Sequence, residues 1–301
     1  MDPSGPAARE IAGVGWIFFI LGGIIFLLVM AYLAYGLLVH RSGAPGPRGG
    51  TMIVIIAGMI IPGIILLVLF VLNTNVLGRI TVPDEEDAAA VIEVVGNQWW
   101  WEVNYQDPQF TTANEIHIPV GQPVLLKLAS KDVIHSFWVP ELHGKMDLIP
   151  GRVNDFWIQA DQPGQYKGEC AEYCGLQHAK MQFVVVAESQ EEYEQWVTRM
   201  QQPASIPEGG SAQQGLSIFL SSTCIQCHTI RGTDATGVLG PDLTHLASRR
   251  TIGAGILPLS RANLGGWVAN PHGIKPGVLM PPAEMGGEDF QALLDFLLTL
   301  E

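Results

Sequence analysis

The sequence predicts a multidomain membrane protein: a two-helix transmembrane hairpin, then a β-sandwich, then a small all-α domain. Three observations carry that prediction. Two long apolar runs near the N-terminus contain no charged residue. The stretch after them alternates short β-branched or aromatic segments with Gly, Pro and Asp turns. The last third returns to helical spacing beyond a segment rich in Pro, Gly, Ser and Gln. Composition agrees, since 48% of the 301 residues are hydrophobic and 15% charged, a high ratio for a soluble chain.

The first apolar run extends from Ile11 to Val39 and the second from Met52 to Leu72. At about 1.5 Å rise per residue each reaches the roughly 30 Å of a hydrocarbon core, so spans at about 11–39 and 51–72 are expected within an N-terminal segment 1–80. A cleaved signal peptide is disfavoured because the first run is too long, lacks a basic start and shows no small-residue cleavage site. Arg41 and Arg48 lie between the runs, which places that loop in the cytoplasm and everything after Leu72 outside. The exterior is the oxidising side, where paired thiols become disulfides unless a cofactor claims them.

Residues 81–200 form the expected β-domain, with strands at Val91–Val95, Val124–Leu128, His135–Val139, Phe156–Gln159 and Gln182–Val186. Glu191–Met200 reads as helical, and "QQPASIPEGGSAQQG", from Gln201 to Gly215, opens with a linker at 201–212. The stretch 81–200 carries 19 Asp and Glu against 7 Lys and Arg, an excess of 12 negative charges. Such a balance argues against nucleic-acid binding and suits the steering of a basic partner. Residues 213–301 show helical patterns at Gln213–Leu220, "GPDLTHLASRR" and Asp289–Leu300. So small an all-α domain lacks a generous core unless something fills it.

"GECAEYCGLQHAKM" places Cys170, Cys174, His178 and Met181 at intervals of four, four and three. Thiolate, imidazole and a longer-range thioether are the donors of copper electron-transfer sites. Two thiolates four residues apart can bridge two metal ions, with a second imidazole supplied from elsewhere, and His135 on a candidate strand is available. A Cys170–Cys174 disulfide and a zinc site are the competing readings, the first strained and the second giving no reason for the methionine.

"STCIQCHTI" holds C-x-x-C-H at Cys224, Cys227 and His228, the attachment signature of c-type haem: two thiols reach the two vinyl groups and the adjoining imidazole falls under the iron. A redox dithiol and a zinc half-site compete, but the tail lacks an α/β pattern and a second cysteine pair. For the sixth ligand Met280, 52 residues after His228 and flanked by prolines, is the choice. Met285 competes, as do His245 and His272 in a bis-His haem. His40, His117 and His143 have no ligand neighbours and are expected in surface or packing roles.

Together "VIHSFWVP", "GKMDLIPGRVN" and "GECAEYCGLQHAKM", with the preceding hairpin, resemble the binuclear copper A domain of subunit II of haem-copper cytochrome c oxidases. "NPHGIKPGVLMPP" resembles the methionine loop of cytochrome c domains fused to that subunit in caa-type oxidases. The resemblance implies a cupredoxin-like β-barrel at 81–200 and a class I cytochrome c domain at 213–301. It further implies copper ligation by His135, Cys170, Cys174, His178, Met181 and the backbone carbonyl of Glu172. The Glu172 side chain would face a magnesium ion at the boundary with the catalytic subunit, with Asp147 nearby. In "GNQWWWEVNY" the first tryptophan, Trp99, corresponds to the family's residue for electron entry beside the cytochrome c docking surface; of three consecutive tryptophans on a strand, at least one belongs to the core.

The implied function is electron input to a respiratory haem-copper oxygen reductase of the bacterial cytoplasmic membrane, as a multi-pass chain with both cofactor domains outside. The implied partners are catalytic subunit I and further subunits, membrane lipid, and an external donor that is a cytochrome, a copper protein or a quinol-oxidising complex. Oxygen would be reduced in another subunit. Two alternatives remain: the copper subunit of a nitric oxide reductase, and a freestanding membrane electron carrier. Nitrous oxide reductase is disfavoured because the chain has no room for its large catalytic domain.

Overall fold

The computed structural model describes residues 2–39 and 47–301. They divide into two compact units, one of Ala7–Thr81 and one of Asp2–Pro6 with Val82–Glu301. The first unit is built from α1 (Pro6–Leu38), α2 (Pro47–Ile55) and α3 (Ile61–Arg79). A π-helical turn, Ile56–Ile60, joins α2 to α3 just before Pro62, which has no amide to continue the α pattern. The resulting helices Pro6–Leu38 and Gly50–Arg79 have mean hydropathies of 2.7 and 3.1 and are long and apolar enough to cross a membrane. Their leucines, isoleucines and phenylalanines are exposed on all sides, as a lipid-facing helix requires. Arg79 pairs with Glu10 at 3.3 Å. His40 and Arg41 lie outside the described residues, and Arg48 falls in α2.

In the second unit ten strands form two five-stranded sheets. Their bounds are β1 (Val91–Asn97), β2 (Trp100–Tyr105), β3 (Phe110–Ala113), β4 (Glu115–Pro119), β5 (Val124–Ser130), β6 (His135–Trp138), β7 (Lys145–Leu148), β8 (Asn154–Ile158), β9 (Gly164–Cys170) and β10 (Gln182–Glu188). One sheet runs β3-β2-β1-β5-β8 and the other β4-β10-β9-β6-β7, with parallel pairing only between β1 and β5 and between β10 and β4. A shared core holds Ile92, Trp101, Leu126, Phe137, Phe183 and Val185. The expected sandwich is therefore present, with five strands more than the apolar runs indicated. Among the additional strands β9, "GQYKGEC", buries only alternate residues and presents Lys, Glu and Gln on the other face. Of the three tryptophans Trp101 is wholly buried, as alternation requires.

After β10, α4 (Gln190–Gln201) opens with a capping box between Ser189 and Glu192. Then come α5 (Gly210–Ser221), β11 (Thr251–Ile252), β12 (Leu257–Pro258), α6 (Arg261–Ala269), α7 (Pro271–Ile274) and α8 (Gly287–Leu297). The tail is thus helical except for one small hairpin, absent from the sequence expectation. It reverses through Gly253, Ala254 and Gly255, all at positive φ, a conformation that Gly-Ala-Gly does not announce. The segment expected as a linker ends inside α5 and is tied down: Ala204 donates its amide to the Arg231 carbonyl (2.9 Å), and Arg231 donates its guanidinium to the carbonyls of Met200 and Gln201. A second core is centred on Phe219, Leu293, Phe296 and Leu297.

Candidate metal centres

Strand β6 delivers His135, β9 ends on Cys170, and the loop from Ala171 to Met181 brings the remaining predicted ligands back over the same end of the sandwich. Cys170 Sγ and Cys174 Sγ lie 3.7 Å apart as free thiols, far beyond the roughly 2.05 Å of a disulfide. His135 Nδ1 is 3.9 Å from Cys170 Sγ, and the Glu172 carbonyl oxygen is 3.2 Å from it. His178 Nδ1 and Met181 Sδ each lie 3.8 Å from Cys174 Sγ. His135, Cys170, Cys174 and Met181 are buried, and His178 is half-buried.

Two thiols at this separation cannot both ionise freely. The hydrogen bond with Cys174, helped by His135 and backbone amides, lowers the pKa of the Cys170 thiol, and the resulting thiolate pushes the Cys174 thiol up. Six donors, the two sulfurs among them, exceed the four of a structural zinc, and the thioether is a soft donor with no purpose there.

Sequence reasoning missed the residues that orient these ligands. His135 Nε2 lies 2.8 Å from Asp132 Oδ1, and Asp132 in turn accepts the amides of Gln98 and Val133 at 2.6 Å each. The carboxylate holds the proton on Nε2 and leaves the Nδ1 lone pair facing the sulfurs. The signal was an aspartate three residues before the histidine. Trp99 Nε1 and Gln98 Nε2 both donate to the Cys174 carbonyl, at 3.0 and 2.7 Å. Trp99 is only 9% exposed. The Glu172 side chain is exposed, accepting the Tyr173 amide at 2.9 Å, and Asp147 is exposed on β7.

At the other site a short 3-10 turn, Thr223–Gln226, follows α5 and places Cys224 and Cys227, both free and half-buried, ahead of His228. The His228 Nδ1 donates to the Pro241 carbonyl at 2.7 Å, which leaves the lone pair on Nε2. Burial lowers the His228 pKa and keeps the ring neutral. Gly240 lies against that ring, and a Cβ there would stand 2.7 Å from Cε1. Arg249 is buried, donates to the Asp242 carbonyl, and has an unpartnered Nε. Two thiols, a neutral imidazole and a buried guanidinium with donor capacity to spare suit a porphyrin carrying acidic side groups. Met280 and Met285 both pack on the second core. His245 is spent, its two ring nitrogens lying 2.7 and 3.0 Å from the Glu301 and Gln202 carbonyls, while His272 is exposed on α7. His117 stacks on Trp196 (4.0 Å between centroids) and His143 is buried, the packing roles expected of them.

Two family models match the chain: cytochrome c oxidase subunit II, periplasmic domain, over residues 108–188, and cytochrome c over residues 212–301. Cytochrome c oxidase subunit 2 of Alkalihalophilus pseudofirmus is 36% identical over 100% of this chain and 90% of its own length. Cytochrome c oxidase subunit 2 of Bacillus sp. (strain PS3) is 33% identical, over 80% of this chain and 72% of that one. Among solved structures, the periplasmic domain of subunit II of cytochrome oxidase of Bradyrhizobium japonicum is 31% identical, covering 40% of this chain and 96% of that chain with a TM-score of 0.37.

Proposed function

The chain belongs to the subunit II family of cytochrome c oxidases, and on that premise we propose that it passes electrons from its own haem c, through a binuclear copper A centre, to the catalytic subunit of a respiratory haem-copper oxygen reductase. One observation carries this reading: four donors that suit copper converge on two free sulfurs, six donors in all, in the same chain as a C-x-x-C-H motif. When bound, the two groups supply one-electron redox chemistry.

The protein's own residues hold and position them. Cys170, Cys174, His135 oriented by Asp132, His178, Met181 and the Glu172 carbonyl would hold the copper pair. Cys224 and Cys227 would attach the haem covalently, and His228 and Met280 would hold its iron. Trp99, whose indole donates to the Cys174 carbonyl, is the point of electron entry into the copper domain. The Glu172 carboxylate, exposed beside the copper loop, is assigned to magnesium at the boundary with subunit I. The two apolar helices anchor the chain as a multi-pass protein with both cofactor domains outside, in contact with lipid and with an external donor.

In the purified oxidase, Cys170→Ser and Cys174→Ser should each abolish the mixed-valence copper spectrum while haem c stays reducible. Met280→Ala should remove the sulfur-to-iron band and lower the haem potential, and Met285→Ala should do neither. Survival of the copper spectrum in both cysteine variants would defeat the copper assignment. Metal analysis of the co-purified catalytic subunit separates an oxygen reductase, with copper beside its haem, from a nitric oxide reductase, with non-haem iron.

A further inference from the structure

Lys275 is 1% exposed, although it is a lysine on the loop that carries Met280. Lysines are almost never buried so fully unless paired, because the ammonium loses its hydration. Its Nζ donates to the Trp99 carbonyl at 2.7 Å and to the Gly253 carbonyl at 3.1 Å. Burial pulls its pKa down to about 7.

The copper-ligand loop grips the same segment from the other side. Gln177 Nε2 donates to the Pro276 carbonyl at 2.8 Å and Lys180 Nζ to the Ile274 carbonyl at 2.6 Å. Between these points Gly277, at φ +88°, lies so close to Leu176 and Trp99 that a Cβ would stand 3.2 Å from Leu176 Cδ2 and 3.6 Å from Trp99 Cη2. Four consecutive residues, Ile274 to Gly277, are thus seated on Trp99 and on the loop bearing Cys174, His178 and Met181. Nothing about this arrangement resembles a domain roaming on a linker.

We infer that Lys275 is a positioning residue: its ammonium latches the Met280 loop onto the Trp99 carbonyl, so that electrons cross from haem to copper through one fixed interface rather than by tethered collision. The inference rests on the proposed haem-to-copper route and adds to it the device that sets its geometry. Lys275 hydrogen-bonds to backbone carbonyls and not to a proposed ligand side chain, and it acts through Trp99, which hydrogen-bonds to the Cys174 carbonyl. Because that step depends on a fixed separation of donor and acceptor, loosening the seat slows it.

The test uses the whole oxidase in detergent with Lys275→Met, which keeps the apolar stem and removes the donor. Two quantities are read: the rate of copper reduction after rapid reduction of the haem, and the distribution of haem-to-copper distances by pulsed electron paramagnetic resonance. Wild type should show one narrow distance and a rate independent of solvent viscosity. The variant should keep both cofactor spectra, transfer roughly tenfold or more slowly with a rate that falls as viscosity rises, and show a broadened distance. A role in stability alone would lower the yield of folded protein and leave the distance narrow. An unchanged rate with a narrow distance overturns the inference. Should Lys275→Met lose a cofactor, Gly277→Val disturbs the same seat from the glycine side, and a narrow distance with an unchanged rate in that variant overturns the inference equally. If instead wild-type haem fails to reduce copper at all, the proposed route fails, while the distance still reports whether the domains are docked.

Discussion

His143 packs edge-on against the rings of Phe156 and Trp157, at centroid distances of 4.5 and 5.2 Å, with its Nδ1 accepting the Gly144 amide and its Nε2 unpartnered. Burial lowers its pKa from 6.5 to about 4, because an imidazolium there would be poorly solvated. Between those values the unfolded chain binds a proton that the folded chain refuses. The contribution to stability is therefore complete above the unfolded pKa of 6.5 and is lost as pH falls toward 4, to a total of at most about 3 kcal/mol. Melting of the full chain, followed by tryptophan fluorescence between pH 7 and pH 4.5, should show this loss, and His143→Gln should flatten it. An unaltered acid slope in the variant would assign the loss to other groups. The same contrast governs what could be read at this scale. Cys170, Cys174, His178, Met181 and the C-x-x-C-H residues declare their chemistry by type and spacing. Asp132, Pro241, Arg249 and Lys275 are ordinary residues until burial and a particular partner give them roles.

Helix α5 crosses α8 at Gly215, where a Cβ would run into the Ala292 carbonyl and stand 2.7 Å from Phe296 Cβ. The glycine is there to let two backbones meet, at the cost of weaker helix propensity. Gly215→Ala should force the helices apart and destabilise the haem domain by about 1–3 kcal/mol, since its small core has little to absorb the strain. Thermal unfolding followed through haem absorbance measures this; a midpoint equal to wild type would show that the crossing relaxes without cost. Helices and membrane segments were legible because their apolar periodicity is long. Strands such as β7 (Lys145–Leu148) and β9 (Gly164–Cys170) were not, because four to seven residues with one solvated face leave too few apolar positions to register.

Across the whole molecule the negative charge is concentrated in 81–200, whereas 213–301 has only seven acids against five bases. A basic external donor should be steered by that field, and its second-order rate of haem reduction should fall by about tenfold or more between roughly 0.01 M and 0.15 M salt. An acidic donor should lack this dependence, and so should the proposed internal haem-to-copper step, which involves no encounter between separate molecules. A basic donor indifferent to salt would remove the steering role from the acidic surface. The two long apolar helices, the sandwich class, the C-x-x-C-H motif and most of the residues proposed to hold copper were legible in the sequence alone, because each resides in a continuous segment whose residue types state their own chemistry. The tertiary structure decided how the two cofactor domains meet. Lys275 reaches Trp99 across 176 residues of sequence, and Gln177 reaches Pro276 across 99. No local pattern announces such pairs, because each contact is favourable only after both domains have folded and excluded water from the surface between them.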